Sequence, residues 1–454
     1  MKMYETTQPV EKYLNVKLEC SCGRTHYAPI KAVKSGEGAL KTLPDFVTRY
    51  GYRKPYLLCD EITYAIAGAT CEKLLAEAGI PCETLVLRHL GYDEATLGEI
   101  VIHMPDDCDL MIGCGTGSIT DMLRYASYKL GRPCFTIATG APMDGFSASV
   151  GILNVNNLKA TLPAHSTEVI IGDTEILSSA PYRMTIAGFG DLIGKLNALN
   201  DWRLAVEING DHYCANMDHL VSDYVERILA ETDKIKNRAP EAAGDVMNAL
   251  LLTGATISLY GSSRPISGAE HHMSHYWEVV GEQRGRPLAM HGEQVAVGTV
   301  VALMAEECIR EMEIDFDGAR EKAALYGEKV WEEEIRRCYG NAADAIIELE
   351  AVSQKNETSG RLRRIERMEQ RWDSVKDILN RAYPAAALRK LLRELGSPCD
   401  PRDIGVDREL LRDTILYCKE TRARYTVYQM AWDLGILEPL ADRIIEKLEK
   451  EGAL

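Results

Sequence analysis

Residues 110–121 read Leu110-Met111-Ile112-Gly113-Cys114-Gly115-Thr116-Gly117-Ser118-Ile119-Thr120-Asp121. A short apolar strand runs into a glycine-rich turn, and a helix is predicted over residues 120–130. Glycines let the backbone approach a pyrophosphate, and the first turn of a helix supplies amide donors and a positive dipole end. The spacing departs from the standard dinucleotide fingerprint, so by itself the turn is as consistent with a structural role as with a cofactor loop.

Strand and helix patterns alternate on both sides of this turn. Strands are predicted at residues 56–59, 83–87, 134–138 and 168–173, and a helix at residues 65–78. Such alternation predicts an α/β domain with a mostly parallel, Rossmann-like sheet. After about Pro181 helical patterns dominate. We therefore expect a dinucleotide-binding domain over residues 1–179 and an all-α domain over residues 180–454, with a C-terminal helical extension from about residue 355.

Composition excludes several classes of protein. The chain has 454 residues, which is too long for one ordinary core. Its net charge of −16 argues against nucleic-acid binding, because phosphate contacts need a basic surface. The sequence contains no run of eighteen consecutive apolar residues, so it predicts no membrane span. The N-terminus shows no apolar signal core, and the thirteen cysteines suit reduced thiols, so we expect a cytoplasmic protein.

One cysteine-containing stretch admits two interpretations. Cys20-Ser21-Cys22 with His26 resembles half of a metal-binding knuckle. No second pair follows at the spacing of a zinc site, so the pattern favours a structural loop.

Three polar motifs indicate a catalytic metal. They are Gly188-Phe189-Gly190-Asp191, Gly268-Ala269-Glu270-His271 and Met290-His291-Gly292-Glu293-Gln294. Together they offer one carboxylate and two imidazoles, the ligand set of a divalent metal with an open position. A single histidine on an apolar helix is usually a packed core residue, but this density of histidines favours a metal site over coincidence.

Neighbouring residues complete the expected site. His275 follows His271 by four residues and so faces the same side of a helix, whereas His272 points about 100° away. Asp60 ends a predicted strand, where an acidic residue can accept from an adenosine ribose or simply form a turn. Asp144 follows another strand and could hold a substrate hydroxyl, although Asp-Gly is also a common turn pair.

At these motifs, and at Met143-Asp144-Gly145-Phe146, the chain resembles the iron-containing alcohol dehydrogenase and dehydroquinate synthase-like superfamily. Within it, the chain is most similar to the bacterial sn-glycerol-1-phosphate dehydrogenases, over most of its length. The resemblance implies an NAD(P)-dependent, metal-dependent enzyme of phospholipid metabolism that interconverts dihydroxyacetone phosphate and sn-glycerol 1-phosphate. One motif departs mildly from the family, with Ala269 where serine is more usual.

The resemblance also implies roles for individual residues. Metal ligation falls to Asp191, His271 and His291, and substrate contacts fall to Asp144, Asp191 and His275. His275 would orient the substrate oxygen or help to protonate it. A cofactor-contacting serine is expected near Ala148, where Ser147 and Ser149 are the candidates and Ser147 is preferred. Further dinucleotide contacts are implied for Gly117, Ser118, Ile119, Thr120, Asp121, Thr139, Gly140, Ala141 and Pro142, beside the Asp60 considered above.

Other members of the superfamily remain as alternatives. Dehydroquinate synthases carry a glutamate ligand and an Asn-x-Gly-His motif, which this chain lacks. A glycerol dehydrogenase or another polyol dehydrogenase would not need basic residues for a phosphate, for which Lys159, Arg183, Lys195 and Arg264 are candidates here. A metal-bound structural or regulatory protein is the alternative that is not an enzyme.

The expected cofactors are NAD, with NADP as an alternative, and one divalent ion. Zinc or nickel is favoured over iron, although carboxylate and imidazole ligands suit several first-row metals. The expected partner is a small phosphorylated ketose or polyol, and the expected assembly is a homodimer.

Overall fold

The fold is known from a computed structural model that describes residues 10–88, 91–155, 158–286 and 289–454. A parallel sheet occupies the first part of the chain, and helices dominate after it. The strands are β1 Leu18–Glu19, β2 Thr25–His26, β3 Ala32–Gly36, β4 Pro55–Asp60, β5 Glu83–Leu87, β6 Leu110–Gly115, β7 Cys134–Ala138, β8 Val150–Val155, β9 Leu158–Pro163 and β10 Val169–Asp173.

The main sheet has the strand order β3-β10-β7-β6-β4-β5, and its paired strands are parallel. The chain passes outward from β4 to β5 and then returns to place β6 on the other side of β4. The connections after β4 and β6 therefore leave in opposite directions. In open α/β sheets such a switch point leaves a crevice at the carboxyl ends of the strands, where ligands bind.

Helices surround this sheet and form the rest of the chain. They are α1 Leu43–Arg49, α2 Glu61–Thr63, α3 Ala69–Glu77, α4 Glu94–Ile102, α5 Gly117–Leu130, α6 Thr174–Ser179, α7 Tyr182–Ile193, α8 Lys195–Asn209, α9 Ala215–Ala230, α10 Thr232–Lys236, α11 Ala242–Tyr260, α12 Ala269–Gln283, α13 His291–Arg310, α14 Phe316–Ala324, α15 Glu328–Tyr339, α16 Ala343–Ser353, α17 Thr358–Gln370, α18 Trp372–Asn380, α19 Ala385–Leu395, α20 Arg408–Tyr417, α21 Val427–Asp433 and α22 Leu437–Lys450.

Both faces of the sheet are buried. Leu57 and Ile112 pack in one apolar cluster, whereas Leu58 and Met111 pack in a second. Successive residues of a strand point to opposite faces, so strands that are covered on both sides must be apolar throughout. This explains the continuous apolar runs in the sequence, and it confirms the predicted parallel α/β sheet.

The chain divides into two compact units. Unit 1 extends to Leu192 and also contains His219–Ser263, and unit 2 consists of Ile193–Asp218 and Arg264–Leu454. The predicted domain boundary at residue 179 stays a prediction. In the described residues the last strand, β10, ends before that boundary, as the sequence pattern indicates.

Among the described residues, α11 is the one helix long and apolar enough to cross a membrane. However, 78% of its most apolar window is buried inside the protein, as expected for a core helix.

Candidate functional site

The glycine-rich turn after β6 is shaped by close packing of the sheet against α5. A Cβ atom at Gly113 would lie 2.7 Å from Leu123, and a Cβ atom at Gly115 would lie 2.6 Å from Ile119. Real carbon atoms do not approach so closely. Glycine is therefore required at residue 115, where Ile119 Cβ also lies at 2.7 Å, whereas a side chain at residue 113 would displace the end of Leu123. Strand–helix packing therefore explains two of the glycines that suggested a cofactor loop.

The first turn of α5 has the features of an anion site. Within the described structure, its N-cap residue Thr116 makes no side-chain capping hydrogen bond. Gly117 and Ser118 are half-buried, so their amides stay within reach of a ligand. Ile119, Thr120 and Asp121 are buried behind them. Asp121 forms an ion pair with Arg124, which fixes α5 internally.

Asp60 ends β4 at the same switch point. Its Oδ1 accepts hydrogen bonds from the amide of Thr63 at 2.7 Å and from the Thr63 hydroxyl at 2.9 Å. Asp60 therefore caps α2. A contact from its second carboxylate oxygen to a ribose stays a prediction.

The predicted segment Thr139–Pro142 lies beside the glycine-rich turn. The Thr139 amide donates to the Gly115 carbonyl at 3.2 Å. A Cβ atom at Gly140 would lie 3.4 Å from Thr116 Cγ2 and 2.7 Å from Met184 Sδ. The structure thus brings the two predicted dinucleotide segments together within unit 1.

Helices α7 and α11 pack directly against the backbone of residues 141–147. A Cβ atom at Gly188 would lie 2.0 Å from the carbonyl oxygen of Ala141. One at Gly254 would lie 2.1 Å from the carbonyl oxygen of Asp144. Both glycines allow an approach that no other residue permits, and this explains the first glycine of the Gly-Phe-Gly-Asp motif.

This packing connects two predicted site residues in unit 1. The amide of Asp144 donates to Oδ2 of Asp191 at 2.8 Å, and Asp191 is fully buried. The hydroxyl of Ser147 donates to the carbonyl of Leu251 at 3.0 Å and so points toward α11. A cofactor contact from Ser147 stays a prediction.

In unit 2, α12 and α13 bring three predicted histidines together. The ring centroids are 5.4 Å apart for His271 and His291, 5.9 Å for His275 and His291, and 6.2 Å for His271 and His275. These spacings let three imidazoles face one small space.

Two glutamates orient the rings of His271 and His291. His271 Nδ1 lies 2.6 Å from Oε1 of Glu270, and His291 Nδ1 lies 3.2 Å from Oε1 of Glu278. A proton on Nδ1 that faces a carboxylate leaves the Nε2 lone pair for a cation. Metal-binding histidines usually show this arrangement. Neither glutamate was predicted, because the partner of a ring nitrogen depends on side-chain geometry.

A buried carboxylate fixes the start of α12. Asp201 accepts the amide of Ala269 at 2.7 Å and the amide of Val427 at 2.6 Å. A Cβ atom at Gly268 would lie 2.6 Å from Oδ2 of Asp201, so glycine is needed there. Burial, reinforced by the negative charge of Glu270, raises the pKa of Asp201 to about 8.

His275 is in a state suited to orienting a ligand. Burial and the positive charge of Arg422 hold its pKa well below the ordinary value. Its Nδ1 has no hydrogen-bond partner among the described residues. A neutral ring can donate one hydrogen bond and accept another, so it suits orientation of a substrate oxygen better than delivery of a proton.

A cationic cluster occupies unit 2 beside these histidines. Burial and the positive charges of Arg422 and Arg264 lower the pKa of Arg424 to about 9. Burial, together with the positive charges of Arg424, Lys355, Arg422 and Arg264, lowers the pKa of His272 well below its usual value. His272 is fully buried, and neither of its ring nitrogens has a hydrogen-bond partner in the described part of the chain.

Contacts within unit 2 anchor two members of the cluster. Arg424 donates to the carbonyl of Ser267 at 3.1 Å, and Arg264 pairs with Asp211 at 3.1 Å. A concentration of positive charge in an acidic protein is expected where an anionic ligand binds.

The four predicted phosphate-binding residues have different positions. Arg264 lies in the cationic cluster, Arg183 is exposed, and Lys195 is fully buried at the start of α8. The side chain of Lys159 lies outside the described residues. Arg422 and Arg424 were missed, although their close spacing in the sequence was a usable signal.

Comparisons with known proteins show which family this chain resembles. A family model described as iron-containing alcohol dehydrogenase matches residues 34–181. A glycerol-1-phosphate dehydrogenase of Halalkalibacterium halodurans, named for NAD(P)+, is 31% identical over 66% of this chain and 77% of its own length. A Bacillus licheniformis protein of the same name is 27% identical over 93% of this chain and 94% of its own length.

Solved structures share the fold. A glycerol dehydrogenase of Schizosaccharomyces pombe superposes with a TM-score of 0.57 at 17% identity, over 94% of this chain and 92% of its own. An alcohol dehydrogenase of Oenococcus oeni gives a TM-score of 0.59 at 14% identity, over 92% of this chain and 98% of its own. The fold is therefore that of the iron-containing alcohol dehydrogenases. Within them, the chain belongs to the glycerol-1-phosphate dehydrogenase family.

Proposed function

We propose that this chain is an NAD(P)-dependent, metal-dependent dehydrogenase that interconverts dihydroxyacetone phosphate and sn-glycerol 1-phosphate. The observation that carries the proposal is its similarity, at 31% identity, to a named glycerol-1-phosphate dehydrogenase. The cationic cluster of unit 2 supports a phosphorylated substrate over an uncharged one, because Arg264, Arg422 and Arg424 offer charged donors that match a phosphate.

We assign metal ligation to Asp191, His271 and His291, each of which offers one ligand atom. One carboxylate and two imidazoles with oriented Nδ1 atoms fit a divalent first-row ion. Zinc and nickel are preferred over iron. When bound, the ion supplies Lewis-acid stabilisation of negative charge on the substrate oxygen.

The chain's own residues position the reactants. The first turn of α5 holds the pyrophosphate, and Thr139–Pro142 contacts the dinucleotide, so that the nicotinamide has a fixed position for hydride transfer. Asp144 binds a substrate hydroxyl. His275 donates a hydrogen bond to the reacting oxygen, which fixes the carbonyl relative to the cofactor. Asp60 favours NAD, because its carboxylate would repel a 2′-phosphate.

The test is NADH oxidation after treatment with a chelator and re-addition of Zn²⁺, Ni²⁺ or Fe²⁺. We expect metal-dependent turnover with dihydroxyacetone phosphate and little with dihydroxyacetone. Turnover with the unphosphorylated ketone would reassign the chain as a glycerol dehydrogenase. If NADH binds but neither ketone reacts, dehydroquinate synthase chemistry or a regulatory role replaces the proposal. NADPH in parallel decides the cofactor preference.

We also propose that the protein is a homodimer and that it is located in the cytoplasm, as inferred from the sequence. Sedimentation of the purified full chain tests the first, and fractionation of cells tests the second.

A further inference from the structure

A second group of metal-binding side chains lies in the short hairpin formed by β1 and β2. Cys20, Cys22 and His26 each offer a ligand atom, and these atoms lie within 4.8 Å of one another. All three belong to unit 1. The dehydrogenase chemistry proposed above uses none of them, so the group needs an explanation of its own.

The geometry of the group matches zinc. Cys22 Sγ lies 3.4 Å from His26 Nε2. Zinc bonds of about 2.3 Å to sulfur and about 2.0 Å to nitrogen at a tetrahedral angle place these two ligand atoms roughly 3.5 Å apart. The two side chains are therefore already separated as they would be around an ion.

His26 is also oriented as a ligand. Its ring is buried, and its Nδ1 lies 2.8 Å from the carbonyl oxygen of Leu259 on α11. A backbone carbonyl can only accept, so Nδ1 carries the proton and Nε2 keeps its lone pair. That lone pair faces Cys22, and the same carbonyl–histidine pairing orients ligands in many metal sites.

The hairpin itself has little else to stabilise it. Its strands pair over two positions, Leu18 with His26 and Glu19 with Thr25. The turn between them is closed by amides of Cys20 and Gly23, and Gly23 has a φ of +85°, which favours glycine. A hairpin this short is unstable alone in water, so a cross-link through its turn would contribute directly to its order.

We propose that Cys20, Cys22 and His26 bind a zinc ion that stabilises the hairpin. Thiolates and a neutral imidazole are ligands that zinc prefers. The sequence pattern set the site aside, because no second pair of ligands follows at the spacing of a zinc finger.

Metal analysis of the full-length protein tests the proposal. Elemental mass spectrometry should find about one zinc equivalent per chain that is lost in Cys22→Ser and in Cys20→Ser. Cys82→Ser is the matched control, because Cys82 is also partly exposed but lies outside the group, and it should keep the zinc. The same equivalent should persist in His291→Ala, which separates it from the catalytic metal. Zinc content unchanged in Cys22→Ser or in Cys20→Ser overturns the site.

A measurement on the unmutated protein covers the case in which these variants do not fold. Iodoacetamide labelling, read by peptide mass spectrometry, should modify Cys20 and Cys22 slowly until a chelator removes zinc, and severalfold faster afterwards. Cys82 should react at the same rate throughout. Equal labelling of Cys20 and Cys22 before and after chelation contradicts a thiolate-bound ion.

Discussion

At the scale of single residues, the carboxylates behind the histidines determine which ring nitrogen can bind a metal. Glu278 approaches Nδ1 of His291 at 3.2 Å, and Ser274 approaches the same atom at 3.2 Å. We expect Glu278→Gln to weaken metal binding by about 10–100-fold, because the amide no longer fixes the ring tautomer or raises its basicity. Competition with a chelating dye measures the affinity directly, independently of turnover.

The control for this variant lies one turn further along α12. Glu282→Gln removes a carboxylate from the same helix but keeps Glu278 beside His291 Nδ1, so its metal affinity should equal that of the wild type. Equal affinities for Glu278→Gln and the wild type would show that the carboxylate does not orient a ligand.

A second prediction at this scale concerns the substrate's phosphate. Arg424→Gln removes one charged donor from the cluster with Arg264 and Arg422. A hydrogen bond to a charged group contributes about 1.5–3 kcal/mol, so KM for dihydroxyacetone phosphate should rise roughly 10–100-fold. The kcat should change less, because the phosphate is remote from the reacting carbonyl. The readout is steady-state kinetics at fixed metal concentration.

Arg412→Gln is the matched control for Arg424→Gln. Arg412 forms a surface ion pair with Asp442 on unit 2, and such pairs contribute little. If both variants have the KM of the wild type, the cationic cluster does not bind the phosphate.

The sequence predicts the residues whose role follows from their own chemistry, but not the residues whose role depends on side-chain geometry. His271 and His291 stand out because their ligand chemistry is a property of the side chain itself. The role of Glu270 depends on which ring nitrogen it faces, which no spacing reveals. His272 was set aside by its helical angle from His271, and the structure places it among the positive charges of unit 2 instead.

At the scale of elements, glycines determine how closely helices approach the site loops. Gly254→Ala on α11 would force a Cβ atom to within 2.1 Å of the Asp144 carbonyl and 2.4 Å of Ser147 Oγ. Because the carbonyl is backbone, the helix must shift. We expect a loss of about 2 kcal/mol or more in the free energy of unfolding. Urea denaturation followed by circular dichroism measures it.

For Gly98→Ala on α4 we expect the opposite change, an increase in the free energy of unfolding. Its added Cβ would meet no atom within 4 Å, and its φ is not positive. Alanine in an open helical position should stabilise by about 0.5–1 kcal/mol. A similar effect for Gly98→Ala and Gly254→Ala would rule out close helix approach as the reason for glycine at residue 254.

The predicted strands contain continuous apolar runs in the sequence. Residues 83–87 were predicted and form β5, and residues 134–138 form β7. The edge strand β3 was not predicted, because its sequence Ala-Val-Lys-Ser-Gly contains no long apolar run. The hairpin of β8 and β9 was missed for a related reason, since only part of β8 faces the core.

At the scale of the whole molecule, alternation of strands and helices predicts a parallel sheet but not its strand order. The local sequence gives the order of β4, β5 and β6 along the chain. The position of β6 in the sheet, on the side of β4 opposite β5, depends on long-range packing. The same holds for His219–Ser263, which is grouped with unit 1 although it follows part of unit 2. The sequence of an apolar helix such as α11 predicts that the helix is buried, but it does not predict which unit the helix packs against.

One buried carboxylate in unit 2, that of Glu420, contacts two lysines and two other polar side chains. Glu420 pairs with Lys355 at 2.8 Å and with Lys419, and it accepts a hydrogen bond from Trp331 Nε1 at 3.1 Å. Asn356 Nδ2 donates to both of its oxygens. Burial alone would raise the pKa of Glu420, but the two lysines outweigh it and hold the pKa well below the usual range.

The last prediction follows from the sign of that pKa shift. A carboxyl whose pKa is lower in the folded state contributes stability above its unfolded pKa, and that stability is lost as the pH falls. Glu420→Gln should therefore cost about 3 kcal/mol at pH 7, because the buried Lys419 and the half-buried Lys355 lose their partner. Below about pH 4.5 the wild type should lose up to about 1.4 kcal/mol per pH unit relative to the variant. Urea denaturation across this range, with exposed Glu321→Gln as control, measures the difference. A deficit that stays constant with pH would mean that packing, and not charge, makes Glu420 important.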